Sequence, residues 1–331
     1  MSLIEHVKES IFSPLSENAF ESLALSLFEE QYQSVPPYRT YCDFIGKTPG
    51  EVSALNEVPF LPVNLFKNHK ILHRDFETKT HFVSSGTTGT RPSIHWIPDL
   101  AFYTKCFSTQ FKRVYGDINQ YVILALLPSY LERSRSSLVF MAQSLIEQSG
   151  NPHSGFYLDK LTALRELMHE LSRMGEKILL LGVSYALIDL AESGSWELNP
   201  ETIIIETGGM KGKRIELTKS ALHQKLSESF GLDQIQSEYG MTELMSQAYA
   251  IKDGLFQTPE WMRVITRDPE DPMTIIQART GGLNIVDLAN VYSCAFIATQ
   301  DLAFVQDSGH FSLMGRFDHS DLRGCNLLLD V

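Results

Sequence analysis

The sequence predicts an α/β layered fold with a mostly parallel sheet and an added β-rich subdomain. Three observations predict it. Short apolar runs without alternation, at 121–127 (YVILALL), 177–183 (KILLLGV) and 202–207 (TIIIET), read as strands covered on both faces. Stretches with apolar residues at helix spacing separate them, and strands alternating with helices make a layered, largely parallel sheet. The last third instead reads as short strands joined by Gly, Asp and Pro.

Ser13-Pro14 gives an N-cap and a proline at the first helical position, which predicts a helix over 14–34. Phe20, Leu23, Ala24, Leu27 and Phe28 then share one face. Residues 35–70, with Pro36, Pro37 and Pro59, read as irregular chain wrapped on the surface of the core. After the strand at 121–127, helices are predicted over 136–148 and 159–174; in the second, Leu161, Leu164, Leu167, Met168 and Leu171 fall at helix spacing. Strand 177–183, helix 184–193, strand 202–207, helix 218–230 and strand 234–239 complete the alternation. Short strands are predicted at 261–266, 274–278, 283–287, 291–299, 302–306 and 310–314. The expected organisation is an N-terminal helical and irregular segment (1–70), an α/β core (71–260) and a β-rich subdomain with its tail (261–331).

Composition narrows the function classes. Of 331 residues, 43% are hydrophobic and 21% charged, a globular balance rather than a disordered one. The net charge of −12 argues against nucleic-acid backbone as the main partner, since that needs a surplus of Lys and Arg. A small phosphate ligand needs only a few local donors. Cys42, Cys106, Cys294 and Cys325 form no C-x-x-C pair, and so few cysteines fit a reducing compartment. The opening MSLIEHVKES carries acidic residues and no apolar core of a signal peptide, and no run of 18 apolar residues exists. The expectation is a soluble, cytoplasmic protein without a membrane span.

Four segments carry chemistry. Ser84-Ser85-Gly86-Thr87-Thr88-Gly89-Thr90-Arg91-Pro92 combines two glycines, hydroxyls and a cation. Backbone N–H groups and hydroxyls so arranged cradle phosphate oxygens, although no Gly-Lys-Ser/Thr closes the string; a polar surface turn has the same composition. Ser237-Glu238-Tyr239-Gly240-Met241-Thr242-Glu243 follows a predicted strand, where open α/β sheets bind ligands. There Glu243 suits Mg²⁺ and Tyr239 suits a base, while a helix N-cap at Ser237 or Thr242 is the other reading. Gly208-Gly209, followed by Lys211, Lys213 and Arg214, permits close approach of a flat ligand after the strand TIIIET. Asp301, near Met314-Gly315-Arg316-Phe317-Asp318, can accept from both hydroxyls of a ribose, with Arg316 steadying the same sugar.

In this order, SSGTTGTRP, the Gly-Gly segment, YGMTE, QDLA and GRFDHSDLRG resemble the acyl-adenylate-forming superfamily over about residues 80 to 325. Within it, Arg323-Gly324-Cys325-Asn326-Leu327 is similar to the acyl-protein synthetases of the fatty-acid reductase complex of luminous bacteria. The resemblance implies the N-terminal-domain-like fold of that superfamily without a full C-terminal lid domain. It implies an ATP- and Mg²⁺-dependent ligase that makes an acyl-AMP from a carboxylic acid, with fatty acids as the family's own class. The acyl group would then pass to a protein thiol, and on to an acceptor such as a reductase or carrier protein. By the same resemblance, Ser84, Ser85, Gly86, Thr87, Thr88 and Gly89 enclose phosphates, with Arg91 beside them. Thr88 and Glu243 contact Mg²⁺-ATP. Gly208, Gly209, Tyr239, Gly240 and Thr242 line the nucleotide, Asp301 and Arg316 hold the ribose, and Cys325 matches the acylated cysteine.

Two departures stand out. The superfamily's Pro-Lys after the phosphate string is Pro92-Ser93 here, with Arg91 as the nearby cation. The sequence also runs only sixteen residues past Gly315, and Lys225 and Lys252 precede that hinge, so against the resemblance the expectation is that the lid's catalytic lysine is not among these residues. An acyl- or aryl-CoA ligase with free CoA as acceptor is the alternative within the superfamily. An α/β-hydrolase-like acyltransferase would use Ser184 in Gly182-Val183-Ser184-Tyr185-Ala186, but the fifth position is Ala and Ser184 reads as a helix N-cap. A non-enzymatic nucleotide-binding role has no need of both Glu243 and Asp301. Histidines such as His95 and His310 read as packed or solvated.

Overall fold

The computed structural model describes residues 1–85, 91–128, 135–208 and 217–317. The chain divides into two compact units, one made of Met1–Glu77 with the chain from Glu260 onward, the other of Thr78–Pro259.

The first unit opens with helices α1 (Leu3–Ser10), α2 (Glu17–Ser34), α3 (Pro36–Phe44) and α4 (Leu65–Asn68), with strand β1 (Leu61–Pro62) before α4. The second unit holds strands β2 (His81–Val83), β3 (Ile94–Trp96), β4 (Val122–Leu126), β5 (Gly155–Phe156), β6 (Ile178–Val183), β7 (Ile203–Thr207), β8 (Gln236–Tyr239), β9 (Ala248–Ala250) and β10 (Leu255–Gln257). Its helices are α5 (Leu100–Tyr115), α6 (Ser137–Ser149), α7 (Leu161–Met174), α8 (Ser184–Ala191) and α9 (Lys219–Phe230). The chain then returns to the first unit with β11 (Met262–Arg267), β12 (Ile275–Ile276), β13 (Gly281–Asp287), β14 (Phe296–Val305) and β15 (Phe311–Arg316).

In the second unit the strand order is β10-β9-β8-β7-β6-β4-β5. The run from β8 to β5 is parallel and β9 and β10 are antiparallel, which is the mostly parallel sheet the apolar runs predict. Every residue of β4 and β6 is buried, so both faces are covered. Side chains alternate across a strand. Glu206 and Ser237 are register partners and share one face with Ser184 of α8; Thr207 and Glu238 are the next pair and point the other way. That alternation places two different polar groups on opposite faces at the C-terminal ends of β7 and β8. β2 and β3 pair separately as a short antiparallel ladder.

In the first unit β12-β11-β13-β14-β15 is antiparallel, and β1 adds to β14 in parallel. Phe296 of β14 forms the centre of an aromatic cluster with Phe28, Tyr38 and Phe60, ring centroids 6.2, 6.3 and 6.2 Å away. Gln31 of α2 donates to the Asn290 carbonyl at 2.8 Å and accepts from the Ala295 N–H at 2.9 Å. Aromatic burial and these two bonds to a connecting turn explain why the first 77 residues group with the chain from Glu260 onward.

Several elements depart from the sequence expectation. α2 begins at Glu17, because Ser16 accepts from the Ala19 N–H and caps the helix three residues after Ser13. The stretch expected to be irregular contains α3, whose first two residues are Pro36 and Pro37; proline lacks only an N–H that the first turn leaves unused. The strands expected at 291–299 and 302–306 are one, β14, with a register shift at Leu302/Ala303 against β15. Ser184 is not an N-cap: Val183 holds that position and Ser184 is the first helical residue. Among the described residues no helix follows β8, so neither Ser237 nor Thr242 caps one; Thr242 and Glu243 lie in a turn. Among the described residues no helix is long and apolar enough to cross a membrane.

Candidate active site

The Ser/Thr/Gly string connects β2 to β3. Gly86, Thr87, Thr88, Gly89 and Thr90 lie outside the described residues, but both ends of the string are fixed. The Ser84 N–H donates to the Ser93 carbonyl at 3.0 Å, and the Ser93 N–H donates to Ser84 Oγ at 2.9 Å. Ser84 is therefore a closing residue of the loop. Ser85 and Arg91 are exposed on either side of the connection.

The loop's strand reaches the YGMTE turn through His95. This histidine is 1% exposed on β3, and its Nδ1–H donates to the Thr242 carbonyl at 2.9 Å. Burial pushes the imidazole down to about 4, against the smaller pull of that carbonyl, so the ring is neutral at physiological pH. His95 thus ties strand β3, which follows the Ser/Thr/Gly string in sequence, to the YGMTE turn. Its position ten residues beyond Ser85 carries no signature of this role; only the fold shows it.

In the turn itself Glu243 is 5% exposed and Tyr239 is 7% exposed. The Tyr239 ring packs on Phe256, centroids 5.9 Å apart, and its hydroxyl donates to Met241 Sδ at 3.5 Å. Gly240 is exposed, and a side chain there would meet Glu238: an added Cβ would lie 2.5 Å from Oε1. Among the described residues no group of three or more His, Cys, Asp or Glu side chains is arranged to hold a metal ion. A single buried carboxylate such as Glu243 suits an ion that brings phosphate oxygens with it, as Mg²⁺ does.

Gly208 ends β7 with a φ of 71°, a left-handed conformation that glycine adopts without a Cβ clash. Gly209 and the basic residues after it lie outside the described residues. The Gly208 carbonyl accepts from Ser184 Oγ at 3.2 Å, and the same hydroxyl lies 3.0 Å from Glu206 Oε2. Glu206, 1% exposed, is the hub of this face. Lys219 Nζ lies 2.6 Å from Glu206 Oε1, Ser237 Oγ donates to Oε1 at 2.9 Å, and His223 Nε2 sits 3.0 Å from Ser237 Oγ. Burial alone would raise the Glu206 carboxyl; the His223 and Lys219 interactions and the Ser237 hydroxyl outweigh it and hold the group at about 2. The Lys219 ammonium also stands 4.8 Å from the centre of the Phe256 ring. With Ser184 engaged by Glu206 and Gly208, its hydroxyl has a structural task rather than the setting of a hydrolase nucleophile.

The opposite face carries Glu238, 6% exposed, which accepts from the Thr207 hydroxyl. Burial dominates here and pushes the carboxyl up to about 7.

Asp301 and Arg316 belong to the first unit. They are register partners on β14 and β15, with Arg316 Nε 3.2 Å from Asp301 Oδ1. The arginine side chain is 70% exposed and the aspartate 16%. Cys325 lies outside the described residues; Cys42, Cys106 and Cys294 are buried and unbridged.

The mostly parallel sheet, with helices between its strands, is the N-terminal-domain-like fold of adenylate-forming enzymes, and solved structures agree. The chain is similar to an open conformation of 2-hydroxyisobutyryl-CoA ligase in complex with 2-HIB-AMP and CoA, with TM-score 0.63 and 14% identity over 93% of this chain and 77% of that one. It is similar to ATP-bound MatB from Rhodopseudomonas palustris, with TM-score 0.53 and 16% identity over 71% of this chain; it spans 47% of that chain's length. The sequence model of the acyl-protein synthetase family, LuxE, matches residues 13–331, and the chain belongs to that family. The long-chain-fatty-acid–luciferin-component ligase of Aliivibrio fischeri is 24% identical over 305 residues, covering 87% of this chain and 79% of the relative.

Proposed function

We propose that this protein activates a carboxylic acid, of the fatty class, as an acyl-adenylate, and then carries the acyl group on Cys325 for delivery to a partner such as a reductase. One carboxylate oxygen attacks the α-phosphorus of ATP, and the bond to pyrophosphate breaks. The Cys325 thiolate then attacks the acyl carbon, and the bond to AMP breaks; the arginine at 323 favours the thiolate.

The observation that supports the reading is the His95–Thr242 hydrogen bond of 2.9 Å, which ties strand β3, the strand after the Ser/Thr/Gly string, to the YGMTE turn. Hydroxyls and backbone N–H groups of Ser84 to Gly89 suit the phosphates, and Glu243 with Thr88 suits magnesium riding on them. When bound, that ion neutralises charge on the phosphate oxygens. Gly208, Gly209, Tyr239 and Gly240 suit the adenine wall. Asp301 and Arg316, paired across two strands, suit the ribose hydroxyls. The family description and the printed name of the Aliivibrio relative support the acyl class, and the ATP- and AMP-bearing complexes of the structural neighbours support the nucleotide.

The test is ATP–pyrophosphate exchange across a panel of carboxylic acids of different chain lengths. Exchange that depends on one class of acid is expected. No exchange above the acid-free rate with any member would contradict the reading.

A further inference from the structure

Behind Gly240 lies a buried polar group that the activation chemistry does not use. Glu238 and Gln236 alternate on β8 and so share a face, and Tyr249 of β9 is the register partner of Glu238. The Tyr115 ring from α5 packs edge-on against Tyr249, centroids 5.3 Å apart. Burial raises the hydroxyls of Tyr103, Tyr115 and Tyr249, and the Glu238 carboxyl raises all three further. Gln247 joins them: a Cβ on Gly240 would lie 3.4 Å from its Cγ.

Among the described residues, three polar atoms of this group are buried without a hydrogen-bond partner: the Tyr115 hydroxyl, Gln247 Oε1 and Gln236 Oε1. Tyr115 and Gln247 are 8% and 3% exposed. Buried polar atoms are nearly always paired, and leaving one unpaired is costly. Unpaired polar atoms beside the YGMTE turn offer bonding capacity that a polar group of a bound ligand would use.

We propose that Glu238, Gln247 and Tyr115 read a hydroxyl group on the carbon chain of the acid. The inference rests on the acid-activating reading above. Gln247 Oε1 only accepts, so the ligand group must donate, which a ketone or an unsubstituted methylene cannot do. The Tyr115 hydroxyl both donates and accepts, matching a hydroxyl's remaining capacity. The location fits a substrate chain: Glu238 and Gln247 flank Gly240, three residues before Glu243.

The experiment compares acid-dependent exchange for fatty acids of one chain length, unsubstituted or hydroxylated at the second, third or last carbon. A site built to bond a hydroxyl rejects the analogue lacking it strongly, so one hydroxylated isomer should exceed the unsubstituted acid in kcat/KM by roughly 100-fold or more. Gln247→Leu and Tyr115→Phe should each bring that ratio towards one. The ratio is read within each variant, so a general loss of activity cancels. A wild-type ratio near one for every isomer, or a preference unchanged in both variants, overturns the inference while leaving acid activation intact. If no acid of either kind supports exchange, acid activation itself fails and this inference with it.

Discussion

Glu243→Ala is expected to lower acid-dependent pyrophosphate exchange by roughly 100- to 1000-fold, the size of loss seen when one preorganised electrostatic partner of a transition state is removed. Glu243 lies in the turn that His95 ties to strand β3, and it is 5% exposed. A carboxylate at that point suits magnesium carried in on the nucleotide, a hard cation that takes one or two carboxylates beside its phosphate oxygens. Two consequences distinguish this role from a structural one. Glu243→Gln, nearly the same size but uncharged, should lose almost as much activity as Glu243→Ala. Raising magnesium should partly restore Glu243→Asp and leave Glu243→Ala unchanged. Exchange at near wild-type rate in the alanine variant would remove Glu243 from metal binding.

The largest stability effect is expected at Lys219. Its ammonium is 2.6 Å from the Glu206 carboxylate, and the acid is 1% exposed. Removing the ammonium leaves the buried Glu206 carboxylate without it, but Lys219 itself is 29% exposed, so Lys219→Met should cost about 2 kcal/mol of unfolding free energy at neutral pH, less than in a fully buried pair. The double variant Lys219→Met with Glu206→Gln should recover part of it, because no charge is then stranded. The pH dependence has a definite sign. The Glu206 carboxyl is held at about 2, below the ordinary 4.5, so its contribution is present above about pH 4.5 and lost as pH falls through about 2. The gap between wild type and Lys219→Met should therefore be full near neutral pH and shrink through that window. Ser184 couples this pair to the Gly208 carbonyl, so the variant should also raise KM for ATP more than it lowers kcat. Equal stability of wild type and variant at neutral pH, measured by denaturant unfolding, would contradict the pairing's importance.

The α/β core is legible in the sequence because its strands are buried on both faces, which leaves unbroken apolar runs such as those of β4 and β6. β2 and β3 escape such a reading because three residues are too few for a period to show. α5 escapes it although Asp99 caps the helix and Gly116 ends it; its apolar face is carried by Phe102, Tyr103, Cys106, Phe107 and Phe111, which read equally as a generic aromatic-rich stretch. The glycine and hydroxyl strings of the proposed site stand out because a backbone that cradles a ligand needs particular residues in local order. The Glu206 hub does not, because its partners come from α8, α9 and β8, and no spacing along the chain encodes that meeting. His95 and Glu238 are hidden for the same reason: their roles lie in contacts between elements distant in sequence.

The proposed function turns on an activated acyl group coming to rest on Cys325. Intact-protein mass spectrometry after incubation with Mg-ATP and the acid panel measures that event itself. One added acyl mass is expected, removed by neutral hydroxylamine and mapped to Cys325, and absent from Cys325→Ser while that variant still forms acyl-AMP. A hydroxylamine-labile acyl mass retained by Cys325→Ser, or acid-dependent exchange in the wild type with no acyl mass on the protein, would contradict it.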